Sequence, residues 1–484
     1  MNYRAIVTII FFLISNFFTV RPFKIPCRRF NIHLNLHTVP VFSIIVLLAA
    51  QCIDGEQLKY GFVGDETHLR PYDILLLFLS LAYIALSLDA TGLLQFLAFW
   101  VSNKGKNSGY ALYTYFYCFF IILATFVGND PVILSGTAFL AYFTRVTGLH
   151  PPTAFLFSQF TAANLASAIL PPSNPTNLVL TSTTSTSFLT YALYLILPVF
   201  FSSISLLGVL FLQFSPYNSL LKRDNNEIYI PARLNAPEVN PRSVLIDKTG
   251  AVFGSIVLAI TLVLLVVCSV LVEGMHVCWI TIPAAFVVFV RDFIHDVRYH
   301  STYSKQSEDK SINRFKLLKS AFPTVITVGS RLPYALVPFA ITQFILVNSL
   351  QAVGWIDIFA NWAKIAIKDQ PLRAVWILGL IEIVLCNGST NIGATVLMSQ
   401  VLVKCSEDEK IIKAGMLSIA FGSNIGAYSF SFAASLAGLL WDNILKSKGI
   451  RIPRMQFLYM NMLPLVITAV VGFFVIYAEI SIMD

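Results

Sequence analysis

Four clusters of small polar residues interrupt long apolar stretches of this sequence. Two clusters divide the stretches 110–144 and 373–404, and two more lie within 153–182 and 411–445. Backbone that leaves the helical path at membrane depth exposes N–H and C=O groups, which cost several kcal/mol each unless protein or a water-filled cavity satisfies them. Amides and hydroxyls at such breaks can bind a polar or ionic solute, or a cation. The candidate binding residues are Asn129, Asp130, Asn164, Ser167, Ser173, Asn174, Thr176, Asn177, Asn387, Ser389, Thr390, Asn391, Ser423, Asn424 and Ser429.

The clusters interrupt the helical path in two ways. Pro171, Pro172 and Pro175 remove backbone donors within 164–177 and forbid a continuous helix there, whereas glycines break the segment 422–429. A single Asn or Ser in a membrane helix can also serve only interhelical packing. Because matched clusters recur in both halves of the chain, we interpret them together as a binding site.

Two acidic residues inside apolar stretches are candidates for ion coupling. Asp130 stands beside Asn129 with no Lys or Arg nearby in sequence, and Glu382 lies within LIEIVL. A charged side chain at the bilayer centre costs about 2.5 to 3.5 kcal/mol on insertion scales, so such residues are functional candidates. H+ or Na+ is the expected coupling ion, with Na+ bound transiently at the two breaks. No resident cofactor or metal is predicted, and the seven scattered cysteines indicate neither a disulfide framework nor a metal site.

The four clusters contain no Lys or Arg. An anionic substrate would therefore be held by helix N-termini, amides, hydroxyls and a co-bound cation. A neutral hydroxylated substrate would need only the polar groups. The lack of Lys and Arg in the clusters is therefore compatible with either an anionic or a neutral substrate.

The composition places these clusters in an all-α, polytopic membrane protein. Of 484 residues, 56% are hydrophobic and 12% are charged, and several apolar runs reach the ~20 residues that a bilayer core requires. The formal charge of +8 is assigned to loops, so nucleic acid is not a predicted partner. The first run could be a removed signal peptide, but no small-residue cleavage site follows it and we retain it. Ten crossings are predicted, at 5–20, 36–53, 73–88, 153–182, 186–214, 250–272, 275–290, 324–349, 411–445 and 455–480.

An internal repeat divides the chain into two halves. SLDATGLLQFLAFW at 87–100 and SLQAVGWIDIFANW at 349–362 share six identities in fourteen positions. The same register aligns Asn129 with Asn391, and Asn164 corresponds to Asn424, which comes two residues earlier in the second copy. We predict a first repeat at 1–214, a cytoplasmic linker at 215–248 and a second repeat at 249–484. Each repeat would hold five crossings and one re-entrant hairpin, so the second copy is inverted, with the helices broken at the midplane.

The distribution of basic residues predicts the orientation. With the ten crossings placed alternately, one side receives 24 of the 33 Lys and Arg residues and the other receives nine. The positive-inside rule makes the 24-residue side cytoplasmic and leaves both termini outside or lumenal. The first hairpin then opens from the cytoplasm and the second from the opposite face. The sequence does not distinguish the plasma membrane from an endomembrane.

Two segments resemble a known group of transporters. The stretch 128–177, with GNDPVIL followed by NLASAILPPSNPTN, and the stretch 422–450, with GSNIGAYSFSFAASLAGLLWDNILKSKGI, are similar to the arsenite/antimonite efflux permeases of the ion transporter superfamily. That superfamily also contains citrate and dicarboxylate carriers and sodium/proton antiporters. The resemblance extends from about residue 73 to the C-terminus. It implies two inverted repeats, a scaffold that forms a homodimer, and a transport domain that moves like an elevator with both hairpins.

The predicted function is therefore secondary transport of a small anion or an arsenite-like oxyacid by ion-coupled, elevator-type alternating access. A sodium/proton-type antiporter that uses Asp130 and Glu382 is the alternative within transport. A transport-dead membrane receptor or scaffold is the alternative from another class. An enzyme is not predicted, because the apolar spans contain no His/Asp/Ser or paired-carboxylate constellation at workable spacing.

Overall fold

The computed structural model of this chain is nearly all-helical. It describes residues 2–26, 31–64, 70–105, 108–214, 229–234, 240–272, 276–303 and 321–483, so most of the predicted linker 215–248 lies outside the described residues. Within these ranges, nine helices are long and apolar enough to cross a membrane. The prediction of an integral multi-pass membrane protein is confirmed.

The described part of the first half contains ten helices, and two of its apolar stretches are divided. The hairpin stretch is divided at Gly128, and a 3-10 turn at Pro171–Ser173 separates the two parts of the next stretch. The helices are α1 (Tyr3–Val20), α2 (Val39–Ala49), α3 (Gly55–Val63), α4 (Pro71–Ala90), α5 (Leu93–Gly105), α6 (Gly109–Val127), α7 (Asn129–Val146), α8 (Thr153–Ala166), α9 (Pro175–Thr183) and α10 (Phe188–Phe214).

The second half repeats the order of long helix, short arm, interrupted hairpin, broken helix and long helix. Its hairpin is a single run that leaves helical geometry at Thr390, and a 3-10 turn at Phe432–Ala434 separates the parts of its broken helix. The helices are α11 (Lys248–Leu271), α12 (Cys278–Tyr303), α13 (Pro323–Arg331), α14 (Leu336–Ala352), α15 (Trp355–Ile367), α16 (Pro371–Cys405), α17 (Glu409–Gly426), α18 (Leu436–Ser447) and α19 (Arg454–Met483).

Two local features differ from the predicted all-α pattern. Residues Phe23–Pro26 (β1) and Asn31–Leu34 (β2) form a short antiparallel pair, with Phe23 opposite Leu34. The predicted crossing at 36–53 contains only the 11-residue helix α2. At 1.5 Å per residue that helix is about 16 Å long, shorter than the ~30 Å hydrocarbon core. The chain turns instead, because Gln51 adopts a left-handed conformation and Asp54 caps α3 with a capping box.

Contacts between loops group the helix ends on two faces. Arg145, at the end of α7, donates to the carbonyl of Lys448 after α18 at 2.9 Å. The N–H of Ile246, before α11, donates to the carbonyl of Thr91 after α4 at 2.9 Å. These ends belong to the loops in which the sequence concentrates Lys and Arg, and we call the face they share the basic face.

A second set of contacts lies at the other ends of the helices, which we call the opposite face. The indole N–H of Trp355, at the start of α15, donates to the carbonyl of Ala5 at 2.8 Å. Lys404, at the end of α16, pairs with Asp357 at 2.7 Å. The hairpin α6–α7 therefore has its base at the basic face, whereas α16 has its ends near the opposite face.

The two halves pack closely around their broken helices. Phe160 of α8 stacks on the fully buried Trp441 of α18, with 4.7 Å between the ring centroids. Phe432, in the second 3-10 turn, lies 4.1 Å from Phe457 of α19 by the same measure. Aromatic pairs of this kind contribute about 0.5–1.5 kcal/mol beyond the apolar area they bury. They hold the broken segments of both halves in one core.

The crossing of α16 and α17 requires a glycine, and this gives a first prediction. A Cβ atom at Gly422 would lie 2.8 Å from the backbone carbonyl oxygen of Gly379. Because backbone cannot move aside as a flexible side chain does, Gly422→Ala should destabilise the protein by about 1–3 kcal/mol. Thermal unfolding in detergent, followed by tryptophan fluorescence, measures the change.

Gly208→Ala is the matched control, since a Cβ at that position in α10 meets nothing within 4 Å. Its midpoint should stay at or slightly above that of the wild type, because Ala favours a helix more than Gly does. Equal midpoints for the two variants would show that the close crossing does not limit stability.

Candidate transport site

The tips of the two hairpins share one backbone conformation. Gly128 has φ 92° and ψ 163°, and Thr390, at the aligned position of the second half, has φ 66° and ψ 162°. This region of backbone space is essentially restricted to glycine, and other residues adopt it at a cost of about 1–3 kcal/mol. The Thr390 hydroxyl is also buried, without a hydrogen-bond partner among the described residues. The second tip therefore combines backbone strain with an unsatisfied hydroxyl, and the binding role of Thr390 stays a prediction.

Both broken helices restart with a side-chain cap. Asn174 precedes α9 and accepts a hydrogen bond from the N–H of Thr176 at 3.3 Å. Ser435 precedes α18 and accepts one from the N–H of Gly438 at 2.9 Å. Each cap satisfies one of the donors that a helix start leaves free. The helix after each break therefore begins with a capped N-terminus, at which a side chain accepts a hydrogen bond from a free backbone N–H group.

A buried asparagine cluster, formed by Ser167, Asn174, Asn177 and Asn424, joins the two halves. The Asn424 side-chain oxygen accepts hydrogen bonds from the Ser167 hydroxyl and the Asn174 amide, both at 2.9 Å. The Asn424 amide donates to the Asn177 side-chain oxygen at 2.8 Å. All four side chains are buried. A residue of α17 thus fills the break between α8 and α9.

Within the same cluster, Asn177 satisfies backbone that the break frees. Its amide donates to the carbonyls of Ser167 and Leu170 at 2.8 and 3.1 Å. Asn164, which the repeat aligns with Asn424, contacts its own half instead: its side-chain oxygen accepts from the Asn129 amide at 3.4 Å. The aligned asparagines therefore have different partners.

Asn387 has the corresponding task in the second half. Its amide donates to the Ser429 hydroxyl at 2.7 Å, and its oxygen accepts from the N–H of Phe430 at 3.2 Å. Asn387 therefore binds the second broken segment to the second hairpin tip. The remaining predicted residues are also buried: Ser173, Thr176, Ser389, Asn391 and Ser423. The hydroxyls of Ser173 and Ser389 donate to the carbonyls of Thr125 and Leu385. The Ser423 hydroxyl lies 2.9 Å from that of Thr395, whereas the Thr176 hydroxyl has no partner among the described residues.

One cavity reaches both halves. Its volume is about 1160 Å³, and Phe430 and Ser431 of the second break form part of its wall. Asp130 lies at this wall with no Lys, Arg or His of the described residues within ion-pair distance. Of the predicted binding residues, those that line the cavity are Asn129, Asp130, Ser173 and Asn387. The asparagine cluster, Asn164, Thr176, Ser389, Thr390, Asn391, Ser423 and Ser429 do not line it.

The cavity also contains basic residues that the sequence did not associate with the breaks. Arg331 ends α13 and pairs with Asp89 through one contact of 3.0 Å. The other basic residues of the cavity are Arg21, Lys446 and Arg454, together with His37. They lie outside the four clusters in sequence, so no motif within a cluster could have found them. Of the two sequence-predicted coupling residues, only Asp130 shares the cavity with them.

The second coupling candidate, Glu382, is fully buried away from the cavity. One carboxylate oxygen accepts from the Thr395 hydroxyl at 2.7 Å, and that hydroxyl lies 2.9 Å from the Ser423 hydroxyl. The other oxygen has no hydrogen-bond partner among the described residues. Glu382 thus joins α16 to α17 one residue before Asn424, and its role in ion coupling stays a prediction.

Comparison with known proteins gives consistent matches over most of the chain. A sequence model of the citrate transporter family matches residues 32–410, which include both hairpins and the first broken helix. A putative arsenical pump membrane protein of Bacillus subtilis is 22% identical over 76% of this chain and 78% of its own. The arsenical pump membrane protein of Yersinia enterocolitica is 26% identical over 78% of this chain and 79% of its own.

Among solved structures, the chain is similar to the YdaH transporter of Alcanivorax borkumensis, whose topology is described as unusual. The superposition covers 99% of this chain and 98% of that one, with 13% sequence identity and a TM-score of 0.49.

The asparagine cluster gives a second prediction. Asn424→Ala removes the three hydrogen bonds to the cluster and a fourth to the carbonyl of Ala420, and it leaves Ser167, Asn174 and Asn177 buried with fewer partners. Each buried polar group left unsatisfied costs about 1–3 kcal/mol, so the variant should lower the thermal midpoint more than any single surface substitution. Unfolding in detergent measures it.

Asn164→Ala is the matched comparison, since Asn164 is as buried as Asn424 but has one long contact to another side chain. The Asn164 variant should lose less stability than the Asn424 variant. A larger loss of stability in the Asn164 variant would show that the hydrogen bonds of Asn424 between the halves are not the more stabilising contacts.

Proposed function

The chain belongs to the citrate transporter family, and we propose that it is a secondary transporter that moves a small anion or an arsenite-like oxyacid by ion-coupled, elevator-type alternating access. That it is a membrane transporter and not an enzyme follows from the family and from the arsenical pump relatives. The proposal adds the substrate class, the coupling and the movement.

One observation carries the proposal: residues of both hairpins and of both broken helices line a single cavity. Broken helices are tolerated in membrane proteins where they line a cavity, and transporters place substrate and ion sites at such ends. Asn129 and Asn387 bring one amide from each hairpin to this cavity, and Ser173 and Ser431 bring one hydroxyl from each break. A substrate there would contact both halves at once.

The proposed architecture is a pair of inverted repeats, 1–214 and 249–484, joined by a cytoplasmic linker at 215–248. Three features support it: the shared order of elements, the shared conformation at Gly128 and Thr390, and the equal φ of 85° at Gly92 and Gly354. The opposite placement of the hairpin bases supports inversion, since Arg145 contacts Lys448 whereas Lys404 contacts Asp357. Each repeat would have five crossings and one re-entrant hairpin.

We assign the basic face to the cytoplasm and both termini to the outside or lumen by the positive-inside rule. The cavity is lined by Arg21, Lys446 and Arg454, which belong to the basic loops. In this assignment the described conformation faces the cytoplasm. The protein would reside in the plasma membrane or an endomembrane.

The asparagine cluster supports an elevator movement, because four buried side chains tie the broken segments of both halves into one body. That body, with both hairpins, would move against a scaffold that pairs with a second copy in a homodimer. H+ or Na+ bound at Asp130 would neutralise its carboxylate before the tip crosses the apolar midplane, where an uncompensated charge is costly.

A sodium/proton-type antiporter is the second candidate. It is favoured by the same Asp130 carboxylate, which has no basic partner among the described residues, together with the buried Glu382. The two candidates differ in whether flux requires an organic or oxyacid substrate. A transport-dead receptor would not need amides from both hairpins in one cavity.

A third prediction tests transport itself. Asn129→Ala and Asn387→Ala should each lower substrate-dependent flux in reconstituted vesicles at least tenfold, because each removes a hairpin amide that lines the cavity. The flux of arsenite, citrate, phosphate, sulfate and dicarboxylates under imposed H+ and Na+ gradients provides the measurement.

Asn348→Ala, on α14 and away from the cavity, is the matched amide control and should retain wild-type flux. Unchanged flux in both tip variants, at normal expression, would contradict the proposed site.

A fourth prediction concerns coupling. Asp130→Asn keeps the size of the side chain but removes its charge, so flux should lose its dependence on the coupling gradient. Asp442→Asn is the control, since Asp442 also lines the cavity but pairs with Lys446. Gradient dependence that survives in Asp130→Asn would place the coupling elsewhere, with Glu382→Gln the next variant to measure.

A further inference from the structure

We propose that Arg331 is an anion-binding residue on the wall of the cavity, which receives an anionic solute from the basic face before it reaches the hairpin tips. The inference rests on the proposed transport function and narrows its substrate to anions. Arg331 ends α13, and the residues on both sides of it, Ser330 and Leu332, also line the cavity.

Among the described residues, Arg331 has one charged partner. Its one ion-pair contact joins a terminal nitrogen to a single oxygen of Asp89 at 3.0 Å. A guanidinium has five N–H donors in a planar fork, so the other donors can bind a second acceptor. The Arg331 side chain is 42% exposed, whereas that of Asp89 is 5% exposed. Asp89 is therefore a positioning residue that holds the guanidinium of Arg331 from its buried side.

The charges around the cavity favour anions. Arg21, Arg331, Lys446 and Arg454 line it, against the two acidic residues Asp130 and Asp442. Asp442 is neutralised by Lys446. A cavity with an excess of one sign concentrates solutes of the other sign and raises their rate of entry. Arg331 is the member of this set that a buried carboxylate holds in place.

The packing of α13 assigns Arg331 to the fixed wall and not to the tips. The helix packs on α4 and α12, and Asp296 of α12 accepts from the N–H groups of Thr324 and Val325 at its start, at 2.9 and 3.0 Å. An anion held at Arg331 is thus bound by the wall on the basic side. It would meet the tips only while the cavity opens to that face.

The geometry of the fork defines the chemical class of the ligand. Guanidinium donors match carboxylate and phosphate oxygens in pairs, and these charge-assisted bonds are about twice as strong as neutral ones. Arsenous acid, which is largely uncharged near neutral pH, would gain little from the same contact. A carboxylate or phosphate-like oxyanion is therefore the expected ligand.

The test compares Arg331→Gln, Arg331→Lys and Arg242→Gln in vesicles, with citrate and inorganic phosphate as anionic probes and arsenite as the neutral probe. Arg242 lies exposed in the loop before α11, outside the cavity, and controls for general surface charge. Arg331→Gln should raise KM for the transported anion about tenfold, as expected for the loss of a charged hydrogen bond. The turnover number should change less than twofold.

The effect should depend on the side of addition. KM should rise when the anion is added at the basic face and stay unchanged at the opposite face, which a general structural defect would not produce. Arg331→Lys should restore part of the affinity, and Arg242→Gln should match the wild type. Equal KM values for wild type and Arg331→Gln, or a loss confined to turnover, would overturn the proposal, as would an equal KM change for arsenite.

Equilibrium dialysis of radiolabelled citrate and phosphate against the purified protein separates this inference from the proposed function. Wild-type binding without flux would count against transport but not against the anion site, provided that Arg331→Gln weakens the binding about tenfold. No anion binding by the wild type, or equal binding by the variant, overturns the anion site. If Arg331→Gln does not fold, Arg331→Lys and Asp89→Asn give the same comparison, each with a smaller rise in the dissociation constant.

Discussion

The requirement that backbone polar groups find partners at membrane depth governs this structure. A chain that interrupts four apolar stretches must satisfy the N–H and C=O groups that it frees, because lipid offers no hydrogen-bond partners. Here polar side chains near the breaks supply these partners: Asn177 donates to carbonyls freed beside α9, Asn387 binds the second broken segment, and Asn424 crosses from the second half into the first. The two halves meet at the first break, which a residue of the second half completes.

Similar backbones carry unequal side chains in the two halves. Gly128 and Thr390 have the same conformation, yet only the second tip stores strain and a buried, unpartnered hydroxyl. The acidic residues are also unequal, since the repeat aligns Asp130 with Ile392 and Glu382 with Phe120. One carboxylate lines the cavity and the other lies buried between α16 and α17. The repeat gives both halves a similar backbone, and residues that occur in only one half give the two copies different roles.

The sequence predicted those parts of the site that are local. The breaks at the proline, glycine and asparagine clusters follow from the backbone chemistry of a few neighbouring residues. The hairpin tips and the broken helices were predicted from this local chemistry, as were the short sequence distances between the asparagines. The partners of Asn424 and the approach of Arg331 to the cavity were not predicted, because both depend on contacts more than two hundred residues apart. The β1–β2 pair and the short helix α2 were missed for a different reason: apolar length alone does not distinguish a crossing from a turn.

The hairpin tips carry amides, whereas the positive charge of Arg331 lies on the cavity wall. This separation has a physical consequence for the proposed movement. A cation fixed at the tips would have to cross the apolar midplane unpaired each time the site returned empty, at a cost of several kcal/mol. The tips carry amides and hydroxyls, which cross at lower cost, and the arginine remains on the wall beside Asp89. Asp130 is the exception, as a carboxylate that lines the cavity without a basic partner in the described chain. Its neutralisation by H+ or Na+ would then be a condition of movement, and this condition would couple the ion to the substrate.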